Sequence, residues 1–362
     1  MLSIIKQPPS STSLVAARLI SRFYILALLL LGCSAPGWAA TFPLPTDGSN
    51  IVGQIRVVIA SHHNTLLDIA RHYDLGYNEI TAANPQVSIW LPKAGTLIVV
   101  PTEFILPPRP WTGIIVNIAQ RRLYYFPRPK ANQPAMVVTF PIGISRPGWS
   151  TPLGKTRVIA KFKDPSWIVP KDIVAEHRSQ GNVNFPTYFP PGPGNPMGML
   201  ALETGFSEIF IHGTNRPWGV GMRVSHGCMH LYPENAARLF AQVPVGTPLS
   251  IVNLPFLIGD RDNTLYLSAS RPVAEYPEAQ QSLSNLAMEA MTLYMVHHDG
   301  ALPKVDWRAV RQVADTHGVI PVPISVGAPT IEQIIASIKP EKYEYQPYGI
   351  DANDAAQPGN AN

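Results

Sequence analysis

The sequence predicts a mainly β protein, in which a small β-α-α-β unit precedes a β-rich central domain and a partly helical C-terminal region follows it. Short apolar runs recur between turn-forming residues, and 38 of the 362 residues are proline, about twice the usual share of roughly 5%. Proline interrupts helices and favours strands, turns and stiff connections. A chain of 362 residues is too long for one ordinary domain, so we expect two or three.

The composition permits sizeable cores and argues against a nucleic-acid partner. Apolar residues make up 46% of the chain and charged residues only 14%, against about 25% in typical domains. The formal net charge is +4, but residues 1–40 contain three bases and no acid. Without them, 25 basic residues face 24 acidic ones, a net charge of +1. We therefore infer no nucleic-acid binding from charge.

Residues 1–40 have the pattern of a secretory signal peptide. Lys6, Arg18 and Arg22 precede an apolar run over residues 23–31, and small residues follow through Ala40. That run is well short of the roughly 20 residues that span a bilayer, and no other stretch of the sequence approaches that length. We therefore expect export to the periplasm, with no integral membrane span after the leader is removed.

The position at which this leader is cleaved determines whether Cys33 is removed or stays in the mature chain. Residues 30–33, Leu-Leu-Gly-Cys, loosely resemble a lipoprotein cleavage box, which would leave Cys33 lipidated. We favour ordinary cleavage after the small residues before Ala40, because leucine is an indifferent residue just before the lipobox glycine. Either cleavage leaves Cys228 as the only free thiol.

Residues 54–101 predict the β-α-α-β unit. Residues 57–59 and 95–101 have strand composition, and residues 64–70 and 78–83 have helical spacing. The strings Thr-Leu-x-x-Ile-Ala and Ala-Asn-Pro within this order resemble a LysM module. The resemblance implies binding to glycan that contains N-acetylglucosamine.

One departure from the LysM pattern bears on glycan affinity. His63 and Asn64 stand where a LysM module usually has Gly-Asp before its Thr-Leu pair. A spacer of LysM shape that no longer binds glycan is the alternative.

The stiff segment of residues 107–110, Pro-Pro-Arg-Pro, predicts a linker to a domain over residues 111–253. We expect the two units that it joins to fold separately. Many short strands with turn punctuation predict a sandwich or barrel-like fold for the second unit. A strand and helices are expected over residues 254–342, and residues 343–362 have the composition of a disordered tail.

Cys228 is the first candidate for chemistry. Exported proteins keep most cysteines as disulfides in even number, so an unpaired thiol is an oxidation liability. A buried, inert thiol is the alternative. The surrounding sequence decides against it, because histidines at positions 212, 226 and 230 and several glycines lie close by.

Acyl transfer by a thiol requires a base, a group that orients the base, and donors for an oxyanion. Apolar Phe210 and Ile211 predict a strand that ends at His212, which suits a rigidly held base. Gly227 beside Cys228 lets the backbone approach a substrate closely and directs an N–H at a carbonyl oxygen.

These residues resemble the active-site signature of L,D-transpeptidases of the YkuD type. Residues 212–214 read His-Gly-Thr and residues 225–228 read Ser-His-Gly-Cys. The chain is similar over residues 111–253 to the ErfK/YbiS branch of periplasmic enzymes. Further matches are Thr151-Pro152-x-Gly154, the Gly-Pro-x-Asn-Pro-Met-Gly string at 192–198, and Pro-Val-Gly-Thr at 244–247.

The resemblance implies a role for each matched residue and no cofactor or metal. Cys228 would attack the carbonyl of the third stem-peptide residue of peptidoglycan, releasing D-alanine and leaving a thioester. His212 would deprotonate the thiol and later the incoming amine, with its imidazole oriented by the Gly213 carbonyl. Backbone N–H groups of Gly227 and Cys228, together with His226, would form the oxyanion hole.

Five further residues are candidates for contacts with the substrate. Arg223 could bind a stem-peptide carboxylate, although a solvated strand-edge arginine fits equally well. Trp218 could wall the acceptor groove or serve in packing, and Asn215 could bind peptide. Ser225 lies within the signature. His230 stands where the family commonly has arginine, a departure that bears on pH dependence or donor preference.

Two other functions and one ambiguity stay open from sequence. His212, His226, Cys228 and His230 could hold a metal, since alternate positions of a strand share one face. The second alternative function is that of a non-catalytic protein that binds peptidoglycan through the LysM-like unit. The acceptor is either an amine of another stem peptide, giving 3→3 cross-links, or a lysine of an outer-membrane lipoprotein, which the branch similarity favours.

Overall fold

The computed structural model describes residues 40–296, 298 and 303–343. The predicted leader up to residue 39, Cys33 and the tail from residue 344 lie outside these residues. Among the described residues, no helix combines the length and apolar character needed to cross a membrane.

The N-terminal part forms the expected β-α-α-β order, preceded by a short strand. Thr65 starts the first helix with a capping box, because its hydroxyl and the Asp68 carboxylate each accept a hydrogen bond from the other's backbone N–H. The elements are β1 (Thr41–Pro43), β2 (Ile51–Ile59), α1 (Leu66–His72), α2 (Tyr77–Ala83) and β3 (Leu97–Ile105).

The central part is dominated by short strands, as its turn-rich sequence predicts. Its strands are β4 (Gly113–Asn117), β5 (Arg122–Phe126), β6 (Met136–Pro141), β7 (Ile144–Ser145), β8 (Gly154–Lys163), β9 (Trp167–Ile168), β10 (Tyr188–Phe189), β11 (Leu200–Thr204), β12 (Phe210–His212), β13 (Arg223–Ser225), β14 (Met229–His230) and β15 (Pro248–Val252). Its helices are α3 (Lys171–Ser179) and α4 (Pro233–Gln242), and a 3-10 turn spans Pro217–Gly219.

The C-terminal region combines a small sheet with helices, as expected. Its elements are β16 (Phe256–Arg261), β17 (Thr264–Ala269), a 3-10 turn (Pro277–Gln280), α5 (Leu283–Val296), α6 (Trp307–Thr316), β18 (Val322–Pro323), α7 (Ile331–Ser337) and β19 (Glu341–Lys342). Strands β16, β17 and β18 form one sheet, and α5 and α6 pack on it around a separate apolar core.

One mixed sheet of nine strands organises the central part. Its strand order is β1-β6-β5-β4-β15-β8-β11-β12-β14. The pairs β4–β15 and β12–β14 are parallel, and the other neighbours are antiparallel. Strands β12 and β14 at one edge end at His212 and His230, so the edge of the sheet is where the predicted chemistry lies.

The middle strands are buried on both faces, which explains why their sequences are almost continuously apolar. Because side chains alternate along a strand, Leu123 and Tyr125 face the main core, in which α4 also takes part. Tyr124 and Phe126 face the opposite way, into a second core.

That second core joins the N-terminal unit to the central sheet. Leu66, Ile69 and Ile98 of the β-α-α-β unit share it with Ile115 and Tyr124 of the sheet. The two units joined by the proline-rich segment therefore share one core, and their separate folding stays a prediction. Composition changes at residues 107–110, but the core does not stop there.

The last strand of the described chain pairs with the N-terminal unit. Strand β19 pairs in parallel with β2, giving the order β19-β2-β3. Tyr343 is only 6% exposed and its ring lies 5.1 Å from that of His72. The expectation of disorder from residue 343 onwards is thus wrong at Tyr343 itself.

Candidate active site

Two adjacent strands place the predicted base and nucleophile at the same edge of the sheet. Ile211 and Met229 are buried partners in the parallel pair of β12 and β14, and His212 pairs with His230. The chain that connects these strands makes the 3-10 turn, β13 and the Ser-His-Gly-Cys loop. Cys228 is therefore held immediately before β14, beside the strand that ends at His212.

His212 is held in a defined orientation. It is 4% exposed, and its Nδ1 lies 2.6 Å from the Gly213 carbonyl oxygen. A proton on Nδ1 donates to that carbonyl, which leaves the lone pair on Nε2 to act as a base. Burial lowers the pKa of His212 to about 4, and the Gly213 and Met197 carbonyls oppose that lowering. The imidazole is therefore neutral at physiological pH.

Cys228 is partly exposed, and its sulfur makes two contacts. The Phe210 N–H donates to Sγ at 3.4 Å, and Sγ lies 3.5 Å from the Glu208 carbonyl oxygen. Burial raises the pKa of the Cys228 thiol to about 11; the Phe210 N–H opposes this rise and the Glu208 charge adds to it. The resting pair is a neutral thiol and a neutral imidazole.

The loop before Cys228 is closed by internal hydrogen bonds. The Ser225 hydroxyl donates to the Cys228 carbonyl at 2.6 Å and accepts from the Gly227 N–H at 3.2 Å. The Thr151 hydroxyl donates to the Gly227 carbonyl at 2.7 Å. Gly227 has φ of +127°, and an added Cβ would lie 2.9 Å from a methyl carbon of Ile209, so glycine is required there.

The loop itself engages two of the residues expected at the site. Ser225 is buried and its hydroxyl is used within the loop, so its contact with substrate stays a prediction. The Gly227 N–H is engaged by Ser225 and is not a free oxyanion donor in this structure. The Cys228 N–H, by contrast, makes no hydrogen bond to another residue that the structure describes, and it lies next to the thiol.

His226 contacts a helix that sequence reasoning did not connect with the site. Its Nε2 lies 3.2 Å from the Glu176 carboxylate on α3, and its ring meets Trp149 edge-on with centroids 4.7 Å apart. Glu176 also forms an ion pair with Arg146. Burial and Arg146 lower the pKa of His226, and Glu176 opposes this. No local motif links these residues, so only tertiary structure could reveal the cluster.

His230 lies beside the base. Its ring centroid is 4.6 Å from that of His212. Burial, together with His212 and His226, holds the pKa of His230 well below its usual range. The position that commonly carries arginine is therefore occupied here by a neutral ring.

The remaining candidates differ in their availability to a substrate. Arg223 donates from Nε to the Ser145 carbonyl at 3.1 Å and pairs with Glu275 of the C-terminal region. It holds the fold together here, which does not support its predicted carboxylate contact. Asn215 donates to the Gly194 carbonyl at 3.1 Å. Trp218 is 51% exposed on the 3-10 turn, which leaves part of its ring available to a substrate.

The geometry does not support the alternative of a metal site. Among the residues that the structure describes, no three His, Cys, Asp or Glu side chains are grouped so that they could hold a metal ion. His226 is turned to Glu176, and Nδ1 of His212 is directed at the Gly213 carbonyl.

The N-terminal unit and Arg121 of the central part both support the loop that leads to Cys228. The Tyr77 N–H at the start of α2 donates to the Val220 carbonyl at 2.9 Å, and Arg121 donates to the Gly221 carbonyl at 2.6 Å. Gly221 has φ of +86°, and a Cβ there would lie 2.3 Å from the Tyr77 nitrogen. Backbone packs on backbone at this point, and sequence reasoning missed the contact.

Comparison with known proteins places the site in context. Residues 112–251 match the model of the YkuD L,D-transpeptidase catalytic domain. A solved L,D-transpeptidase 3 from Mycobacterium tuberculosis aligns with a TM-score of 0.28 and 18% identity, over 45% of this chain and 72% of that one.

Two curated relatives are from Escherichia coli K12. The probable L,D-transpeptidase YbiS is 38% identical over 259 residues, which are 70% of this chain and 83% of the relative. The probable L,D-transpeptidase ErfK/SrfK is 34% identical over 308 residues, 84% of this chain and 97% of the relative. The similarity therefore extends well beyond the catalytic domain.

Proposed function

Because the chain belongs to the YkuD family of L,D-transpeptidases and is an enzyme, we propose that it transfers peptidoglycan stem peptides by way of an acyl-enzyme on Cys228. The observation that carries this proposal is the oriented His212 imidazole on the strand beside the thiol. Its Nδ1 is committed to the Gly213 carbonyl at 2.6 Å, and a base must have one nitrogen free to accept a proton.

Acylation would begin from the neutral pair. His212 Nε2 takes the proton from the Cys228 thiol as sulfur attacks the carbonyl carbon of the third stem-peptide residue. The C–N bond to the terminal D-alanine then breaks, the leaving nitrogen receives the proton from His212, and a thioester remains on Cys228. Since both groups are neutral at rest, the charges develop only during reaction, where an oxyanion donor is most effective.

The backbone N–H of Cys228 is the donor that we assign to the oxyanion. It adjoins the thiol and makes no hydrogen bond elsewhere within the described residues. The Gly227 N–H is held by Ser225. The His226 side chain is engaged by Glu176, and its part in the site is developed below.

Transfer completes the cycle. His212 would accept a proton from the incoming amine as its nitrogen attacks the thioester, and would return that proton to the departing Cys228 sulfur. We propose a lysine of an outer-membrane lipoprotein as acceptor, with a second stem peptide as the alternative. Mass spectrometry of muropeptides from the reaction separates the two, because only the second gives 3→3 dimers.

The setting that fits this chemistry is the periplasm. Residues 1–40 have a leader pattern, and the substrate class lies outside the cytoplasm. We propose that the β-α-α-β unit with its LysM-like strings contacts the glycan strand. It would thereby keep the enzyme near its stem-peptide donors.

Acylation by a carbapenem tests the nucleophile and the base. The β-lactam carbonyl is attacked by Cys228, its C–N bond opens, and the intact protein gains the mass of the drug. We expect no adduct with Cys228→Ala. His212→Ala should acylate on the order of 10²–10⁴-fold more slowly, as expected on loss of a general base.

The control is His62→Ala, which removes an exposed histidine of the N-terminal unit and should acylate like the unaltered chain. An adduct on Cys228→Ala would contradict the assignment of the nucleophile. Absence of any adduct on the unaltered chain would favour the non-catalytic peptidoglycan-binding alternative.

A further inference from the structure

The Glu176 carboxylate bridges two groups at the edge of the site. It forms an ion pair with Arg146, and its Oε2 lies 3.2 Å from Nε2 of His226. The side chains are mostly shielded, with exposures of 23% for Arg146, 26% for Glu176 and 17% for His226. Arg146 and His226 hold the pKa of the Glu176 carboxyl below its usual value against desolvation, so the carboxylate is charged at neutral pH.

The helix that carries Glu176 is itself anchored. Ile173 and Val174 of α3 are buried in a small apolar cluster with Val169. Aromatic side chains close this cluster, and one of them, Trp149, also meets the His226 ring edge-on. The partly buried members are Trp149, Trp167, Phe185 and Phe189. Glu176 therefore contacts His226 from a helix that apolar packing holds in place.

We propose that Glu176 is a positioning residue for the transpeptidase reaction: it holds the His226 imidazole and thereby fixes the Gly227-Cys228 backbone that presents the thiol and its N–H. The inference rests on the proposed function of Cys228. Glu176 does not itself touch the reacting atoms. It acts through His226, two residues before the nucleophile.

The loop needs such an anchor. Gly227 has φ of +127°, and a glycine beside the nucleophile leaves the backbone free to rotate. Ser225 and Thr151 close the loop from within, whereas His226 ties it to a different element. A hydrogen bond to an ionised acceptor such as the Glu176 carboxylate is stronger than one between two neutral groups, so it suits this task.

The charges around His226 give the contact a measurable signature. Glu176, Arg146 and His177 face His226 from α3 and the segment after β7, and His230 interacts with it from β14. Of these, only Glu176 favours the protonated imidazole. Removing its charge leaves Arg146 beside the ring, so the pKa of His226 must fall further.

Two variants of Glu176 and one control on the same helix test the inference. Glu176→Ala removes charge and hydrogen bond, and Glu176→Gln keeps an acceptor but loses the charge. Asp172→Ala removes an exposed carboxylate from the first turn of α3. Loss of negative charge near the C-terminal end of a helix is favourable with respect to the helix dipole, so neither change at Glu176 weakens α3 electrostatically.

Two readouts are taken on each variant. The first is the rate of carbapenem acylation of Cys228, which we expect to fall on the order of 10-fold in Glu176→Ala, the factor that about 1.4 kcal/mol produces. Glu176→Gln should fall less. The second is the pKa of His226 from an NMR titration, which should be lower in both Glu176 variants and unchanged in Asp172→Ala.

Unchanged acylation together with an unchanged pKa of His226 in Glu176→Ala would overturn the inference. A slower rate with an unchanged His226 pKa would also overturn it, since the effect would then not pass through His226. If the unaltered chain forms no adduct at all, the proposed function fails. The titration of His226 still decides whether Glu176 holds it.

Discussion

At the scale of single residues, burial determines the charge states of the proposed base and nucleophile before the reaction begins. His212 has its pKa lowered to about 4 and Cys228 has its pKa raised to about 11. Between these values the imidazole carries a single ring proton and is neutral, and the thiol keeps its proton. This pair differs from a preformed thiolate–imidazolium pair, which forms when the thiol pKa is depressed by an adjacent cation.

Alkylation by iodoacetamide should report this state. Because only the thiolate reacts, and its fraction rises tenfold per pH unit below the thiol pKa, the rate should rise about tenfold per unit from pH 6 to 9. The rate is followed by mass spectrometry, with the label located at Cys228 by peptide mapping. Cys228→Ser is the blank. A plateau between pH 5 and 8 would instead indicate a thiolate–imidazolium pair and contradict the neutral resting state.

At the scale of elements, one buried ion pair joins α2 to β5. Arg122 donates from Nε and Nη2 to the Glu79 carboxylate at 2.6 and 2.7 Å. Its remaining donors reach the Thr139 hydroxyl at 3.0 Å and the Asp74 carbonyl at 2.8 Å. The exposures are 1% for the Arg122 side chain and 6% for that of Glu79. A guanidinium so buried is tolerated because each nitrogen has a partner.

Glu79→Ala should therefore be costly. It leaves a buried, unpaired charge, so we expect the free energy of unfolding to fall by about 3–5 kcal/mol, measured by urea denaturation followed by circular dichroism. Arg56→Ala is the matched control, because the Arg56–Glu341 pair has exposures of 37% and 50% and should be worth at most about 1 kcal/mol. Equal losses in the two variants would show that the buried pair does not stabilise the contact between α2 and β5.

The elements also show which parts of the site sequence could predict. His212 and Cys228 are recognisable because strand end, glycine and thiol follow one another within short strings. Glu176 and Glu275 are not, since each meets its partner across a long stretch of chain with no shared motif. For Arg223 the sequence therefore leaves a substrate carboxylate and a solvated strand edge equally open, because its partner Glu275 lies in the C-terminal region, outside the local sequence.

At the scale of the whole molecule, the apolar core crosses the boundary that composition suggests. A run such as Leu-Tyr-Tyr-Phe in β5 predicts a buried strand, but it does not say what covers each face. The face formed by Tyr124 and Phe126 is covered by the N-terminal unit. Proline at residues 107–110 marks a change of direction in the chain and does not separate two cores.

Hydrogen exchange should show the shared core as one cooperative unit. Amides of β2 and β3 should open with the same free energy as those of β4 and β5, because exposing one set uncovers the apolar surface of the other. In Glu79→Ala both sets should lose protection equally, as followed by mass spectrometry of peptides from each strand. Opening of β2 and β3 at a clearly lower free energy than β4 and β5 would instead show two independently folding units.

The return of β19 to β2 has a consequence for the order in which the molecule can be completed. Residues 51–105 leave the ribosome long before residues 341–343, yet the sheet of the N-terminal unit includes both. Until the later residues arrive, the β2 edge has no strand beside it and the place of Tyr343 next to His72 stays open. The N-terminal unit is thus synthesised early but completed late. Until β19 pairs with β2, the unpaired edge of β2 is the surface that must be protected from aggregation.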